Sequence, residues 1–237
     1  MSKTLLFFLP VLLLCSCGTY RSVPPTTAQA QEYRAPDPTP LTSSLFTSNQ
    51  STISEEDIQR ILDGTVELPE KLRVAVLNLD SYRSRNDYYF GSYFFRSLQA
   101  QHFKAFSDQL GTSGRAQSVN LLPQLLVPAD RNIFSLRESA VRMQADVLLV
   151  FTVGSDLYSE FKLFKRDDLK AYATAEALLL DVRTGIIVFA QTVSTEATGQ
   201  REESDTGNND VARRVQAEAS AMAIEELARQ LSAFLKG

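Results

Sequence analysis

The chain has 237 residues, 24 of them basic and 28 acidic, giving a formal charge of −4, and 44% of its residues are hydrophobic. A mildly acidic balance with both signs interspersed argues against nucleic acid as a partner, because phosphate recognition needs a concentrated basic surface. With two cysteines and a single histidine, there is little material for a disulfide framework or a histidine-rich metal site.

In chain order, the first element reads as a short export signal. Lys3 supplies a positive start, and Leu5 to Leu14 form an apolar run broken only by Pro10. Ten residues of helix span about 15 Å, half of the roughly 30 Å hydrocarbon core, which is too short for a transmembrane anchor. The run closes on Leu14-Cys15-Ser16-Cys17, which resembles the lipobox of bacterial lipoproteins. Cys17 fits the acylated position because small Ser16 precedes it; Cys15 does not, because bulky Leu14 stands where a small residue belongs. The resemblance implies that residues 1–16 are a removed signal peptide and that Cys17 carries the lipid, palmitate included. Gly18 rather than aspartate follows, which implies delivery to the outer membrane. Loss of Cys15 and lipidation of Cys17 would leave no cysteine for a disulfide, a metal or nucleophilic chemistry.

Beyond Cys17 the composition changes. Five of the nine prolines (Pro24, Pro25, Pro36, Pro38 and Pro40) fall between Gly18 and Ile53, among Thr, Ser, Gln and Ala. Apolar residues there are sparse and aperiodic, so residues 17–53 read as a lipidated N-terminus and a disordered tether. As a coil it would span roughly 30–35 Å. Residues 54–237 then suffice for one domain, expected to bury about 70% of its unfolded surface.

Ser54-Glu55-Glu56-Asp57 predicts a helix start, a hydroxyl cap followed by first-turn acids, with Ile58, Ile61 and Leu62 as its apolar stripe and Gly64 as its C-cap. Leu72 to Asp80 predicts a central strand: Leu72, Val74, Val76 and Asn78 point one way, Arg73, Ala75, Leu77 and Leu79 the other, and both faces are largely apolar. Residues 87–108 predict a long helix rich in aromatics. Phe90, Phe94 and Leu98 make one stripe, with Gly91, Phe95 and His102 beside it. Its tyrosines, Tyr88, Tyr89 and Tyr93, read either as core or as the rim of a partner-binding surface, where tyrosine is enriched.

Gly111–Gly114 reads as a turn and Ser118–Val127 as a strand marked by Pro123. Asn132 or Ser135 would cap a helix reaching Met143. Asp146–Tyr158 predicts an apolar strand, Lys165–Asp168 a charged tip, and Leu169–Val182 the returning strand, with Ala171, Ala173, Ala175, Ala177 and Leu179 on one face. Asp181-Val182-Arg183-Thr184-Gly185 is the clearest local signal: Asp181 bonds ahead to the backbone and Gly185 supplies the positive φ of a bulged type I turn. Ile186–Val193 follows as a strand, and Gly199–Asn209 as a polar loop. A C-terminal helix from about Asp210 would bury Val211, Val215, Met222, Ile224, Leu227, Leu231 and Phe234. The expected fold is α/β, a mixed sheet flanked by helices.

No residue pattern predicts catalysis. His102 stands mid-helix beside Gln101 and Phe103 without an acid four residues away, no glycine-rich phosphate loop appears, and Asp167, Asp168 and the 201–205 run read as solvated. No cofactor or metal is expected.

Val74-Ala75-Val76-Leu77, Ala145 to Val150 and the Ala177 to Val188 hairpin recur in that order in a group of envelope lipoproteins. The chain resembles the superfamily of the curli-secretion lipoprotein CsgG and the penicillin-binding-protein activator LpoB over roughly residues 70–235. That resemblance implies an α/β sandwich on a lipid anchor at the bacterial outer membrane, facing the periplasm and not catalytic. Its function would be to bind another cell-envelope protein as adaptor or activator; the alternative is a subunit of an oligomeric outer-membrane secretion or assembly complex. The pore-forming branch needs two hairpins with lipid-facing strands, whereas only the 151–181 hairpin has the length here, and its return face is mostly alanine.

Overall fold

The computed structural model describes Leu45 and residues 54–80, 92–160, 168–200, 202, 205 and 208–237; for 92–95, 159–160, 168 and 208 it describes the backbone alone. Among the described residues, four α-helices and five strands follow one another as α1 (Glu55–Leu62), β1 (Leu72–Asn78), α2 (Ser92–Thr112), β2 (Ala116–Leu121), α3 (Ile133–Arg142), β3 (Val147–Glu160), β4 (Asp168–Asp181), β5 (Ile187–Gly199) and α4 (Asn208–Lys236). The sheet order is β2-β1-β3-β4-β5. β1 runs parallel to both β2 and β3, while β3–β4 and β4–β5 pair antiparallel. This is the mixed sheet flanked by helices that the sequence predicts.

β1 is central, and its two apolar faces feed two cores. Leu72, Val74 and Val76 join Phe106, Leu110 and the buried residues of α4 on one side. Ala75 and Leu77 join Ile133, Leu136 and Ala140 of α3 on the other. The strand ends two residues earlier than expected, at Asn78. Asp146 ties the sheet together at its inner end. Its carboxylate accepts from the Arg73 backbone amide and from Nε, both at 3.0 Å, and from Nη2 at 2.8 Å. Its amide donates to Arg73 O at 2.8 Å, and its carbonyl accepts from Val182 N at 3.0 Å. The guanidinium bonded to Asp146 holds that carboxyl below its ordinary range.

Local signals place most ends correctly. Ser54 caps α1 by accepting from Asp57 N, and Asn132 caps α3 by accepting from Ser135 N. Gly185 has φ +79°, its amide donates to Asp181 O at 2.8 Å, and Asp181 Oδ2 accepts from Thr184 N at 2.8 Å. The β3–β4 hairpin pairs without a break from Val147↔Asp181 to Glu160↔Asp168.

Further expectations need correction, and β5 runs on to Gly199 rather than stopping at Val193. α1 ends on Asp63 rather than Gly64, and it buries none of its residues: Ile61 and Leu62 are exposed. Amphipathic spacing records a capacity for burial, not the presence of a facing surface. Helix α2 runs through Gly111 to Thr112; among its described side chains His102, Phe106 and Leu110 are buried, while Phe90 and the side chains of Phe94 and Phe95 lie outside the described residues. The span read as a strand to Val127 stops at Leu121, because Pro123 starts a short 3-10 turn, Gln124–Leu126. On α4, Met222 and Phe234 are exposed, and Ala219, Ala223, Ala228 and Leu235 are buried instead.

The α4 substitution of small for large has a cause in the sheet. Ala171, Ala173, Ala175 and Ala177 form a buried column on β4, so α4 comes close to the strands. Thr195 Oγ1 donates to Ala219 O at 2.7 Å across that interface. A Cβ added at Gly199 would stand 2.5 Å from Val215 Cγ2. The alanine face is therefore a helix-packing face of the domain. Beyond β5, the loop read as solvated is partly organised: Arg214 Nη2 donates to Asp205 Oδ2 at 3.0 Å and to Gln200 O at 2.8 Å.

Candidate functional site

β3, β4 and β5 outlast the helix on their second face. Near the start of β3 and the end of β4, that face lies under α3, where Leu148, Val150, Leu180 and Val182 are buried with Leu136 and Ala140. Further out, strand alternation sets Asp156 opposite Tyr172 and Tyr158 opposite Lys170, and it sets Tyr172 opposite Glu196. Tyr158 is 57% and Tyr172 44% exposed.

These residues are organised rather than scattered. The two tyrosine rings meet edge-on, centroids 5.3 Å apart at 86°, the geometry that the ring quadrupole favours. Lys170 Nζ lies 3.4 Å from Glu196 Oε1. Glu196, hydrogen-bonded to the Tyr172 phenol, holds that phenol above its ordinary pKa. Thr174 Oγ1 and Ser194 Oγ are 3.0 Å apart one pair further in. At the inner end, Asp80 accepts from Thr152 Oγ1 at 2.7 Å and from Val153 N at 2.7 Å. The face thus offers aromatic area rimmed by hydroxyls and charges, which suits protein contact.

The predicted site residues fall elsewhere. Cys17, Tyr88 and Tyr89 lie outside the described residues, and so does the side chain of Tyr93, whose backbone is in the first turn of α2. Tyr158 and Tyr172 were not singled out from the sequence. The signal was present: Ala171-Tyr172-Ala173-Thr174-Ala175-Glu176-Ala177 alternates strictly, so an alanine face on the core side requires Tyr172 to stand on the other.

His102 is 2% exposed, and among the described residues neither ring nitrogen has a hydrogen-bond partner. Its ring stands edge-on to Phe151, centroids 6.5 Å apart. Burial lowers its pKa to about 4, so it is neutral at pH 7. Among the described residues no group of three or more His, Cys, Asp or Glu is placed to hold a metal ion.

No family model matches the chain, and no curated protein matches it. Several solved structures are similar. A PelC dodecamer from Paraburkholderia phytofirmans is 16% identical over 73% of this chain and 96% of its own, with a TM-score of 0.36. A minor lipoprotein from Acinetobacter baumannii is 12% identical over 69% of this chain and 93% of its own, TM-score 0.36. Lipoprotein GNA1162 from Neisseria meningitidis is 14% identical over 70% and 99%, TM-score 0.32. Likeness this distant carries no conclusion about what the present chain does.

Proposed function

We propose that this chain is a lipid-anchored bacterial envelope protein, held at the outer membrane with its domain in the periplasm, that binds another envelope protein and does no catalysis. The anchor is Cys17, supported by the Leu14-Cys15-Ser16-Cys17 sequence and its likeness to a lipobox. The resemblance to the CsgG and LpoB superfamily supports the binding role. The observation that carries the role is the open outer face of β3–β5, where Tyr158 and Tyr172 stand exposed in a fixed edge-on pair beside the Lys170–Glu196 ion pair. Exposed aromatic area held rigid by its neighbours loses little entropy on docking.

Two measurements test the two parts. Cys17→Ser should abolish acyl labelling and release the protein from membranes; persistent labelling refutes the anchor. A photo-crosslinking side chain at Tyr172, installed in the full-length protein in cells, should give a discrete adduct. The same group at Lys104, exposed on α2, should not. Equal crosslinking from both positions, or none from Tyr172, refutes the docking face.

A further inference from the structure

Leu45, inside the stretch whose composition reads as a tether, is held against the domain. Its carbonyl oxygen accepts from the backbone amide of Ile133 at 3.0 Å. Its half-buried side chain packs on the second core, the cluster that contains Leu122, Ile133 and Leu136 and that Leu126 and Val127 also border. The amide it satisfies is the first of α3. Asn132 Oδ1 already accepts from Ser135 N at 2.9 Å, and Asn132 O accepts from Leu136 N at 3.0 Å. The first-turn amides of a helix have no partner within the helix. A residue more than 80 positions away in sequence therefore adds a partner to this cap.

We infer that the start of α3, with the turn Gln124–Leu126, is a docking seat for an apolar segment, and that its occupant is the chain's own N-terminal arm at Leu45. Three features support an arm in this seat. The contact pairs a backbone carbonyl with one apolar side chain, so Leu45 makes both a polar and an apolar contact with the domain. From Pro36 to Thr52 the only large apolar residues are Leu41, Leu45 and Phe46, so the arm has one place suited to grip. Leu125 is 98% and Phe134 59% exposed beside residues that line the seat, so apolar surface extends past the one contact. The seat divides the arm: the run between Cys17 and Leu45 sets the domain's reach, and a pull on the lipid is transmitted to α3 before it reaches α1.

Hydrogen exchange on the full-length protein in detergent tests this. In wild type the Ile133 amide should be protected. Leu45→Asp should speed its exchange about tenfold or more while core amides such as Leu149 are unchanged, and Leu45→Met should restore protection. Chymotrypsin should cut after Phe46 faster in Leu45→Asp than in wild type. Equal Ile133 exchange in wild type and Leu45→Asp overturns the inference. So does a uniform acceleration of every amide, which would make Leu45 an ordinary core residue. Cys17→Ser should leave all these readings unchanged, so failure of the lipid anchor and failure of the seat are distinguishable.

Discussion

Strands β3 and β4 pass from one environment to another along their length. At the inner end the sheet is covered on both faces, and Val147, Leu148, Leu149, Val150 and Phe151 are each at most 2% exposed. At the outer end α4 covers one face while Asp156, Tyr158 and Tyr172 stand in solvent on the other. The sequence changes in step, from an unbroken aliphatic run to alanine alternating with polar or aromatic residues. Burying an alanine removes far less apolar area than burying a leucine. The inner half therefore supplies most of the burial energy, and the outer half relies on ladder hydrogen bonds and on the close approach of α4.

The largest effect should come from the inner half. Leu148→Ala removes a side chain at 0% exposure between the sheet and α3, and its cost should be about 2–5 kcal/mol in urea unfolding. A loss below about 1 kcal/mol would mean that the two-sided core is not the stabilising half.

His102 sits at the border, edge-on to Phe151, and makes the comparison pH-dependent. An unfolded histidine titrates near 6.5 and the folded one at about 4. Between those values the unfolded chain binds more protons, so stability falls as pH drops. The loss should reach about 3 kcal/mol at pH 4. Asp146, whose pKa is lowered by Arg73, adds a further loss only below its unfolded value of about 4. Chemical denaturation of His102→Leu across pH 7 to 4 should be nearly flat where wild type slopes. A parallel slope in both proteins would show that His102 is not the source.

Next in size is the close approach in the outer half. Gly199→Ala puts a methyl 2.5 Å from Val215 Cγ2 and should cost about 1–3 kcal/mol, as overpacking does. Gly111→Ala, in helix α2 with nothing within 4 Å of the added carbon, should instead stabilise by about 0.5–1 kcal/mol. Thermal melts of the two variants should move in opposite directions.

Much of this was legible from local patterns. The parity of β1, the Ser54 and Asn132 caps and the Asp181–Gly185 turn depend on short-range chemistry, and each appears as read. The misses depend on what lies opposite. The spacing predicts Met222 in the core, but it is exposed, and Ala219 and Ala223 are buried beside Val215, Ile224 and Leu227. The apolar stripe of α1 predicts burial, but Ile61 and Leu62 are exposed. The candidate face was missed for a related reason. Tyrosine density drew notice to Tyr88, Tyr89 and Tyr93, whereas Tyr158 and Tyr172 lie 14 positions apart and meet only through the β3–β4 register. Leu45 is the extreme case, since nothing near it in sequence signals α3.

The smallest expected effect sharpens the outer half most. Tyr158→Ala and Tyr172→Ala remove side chains that are 57% and 44% exposed, so each should cost about 0.5–1 kcal/mol or less, part of it lost sheet propensity. The rings touch edge-on at 5.3 Å, and a cross-strand aromatic pair contributes roughly 0.2–1 kcal/mol. The double variant should therefore be more stable than the sum of the two losses implies, by about 0.5 kcal/mol, in a double-mutant cycle. Strict additivity would mean that the rings move independently in solution. The face would then lack the rigidity on which its docking role rests, even if both single variants fold normally. A coupling near 0.5 kcal/mol with small single costs would mark a surface pair ordered by its own contacts, which is what a docking face that is dispensable for folding requires.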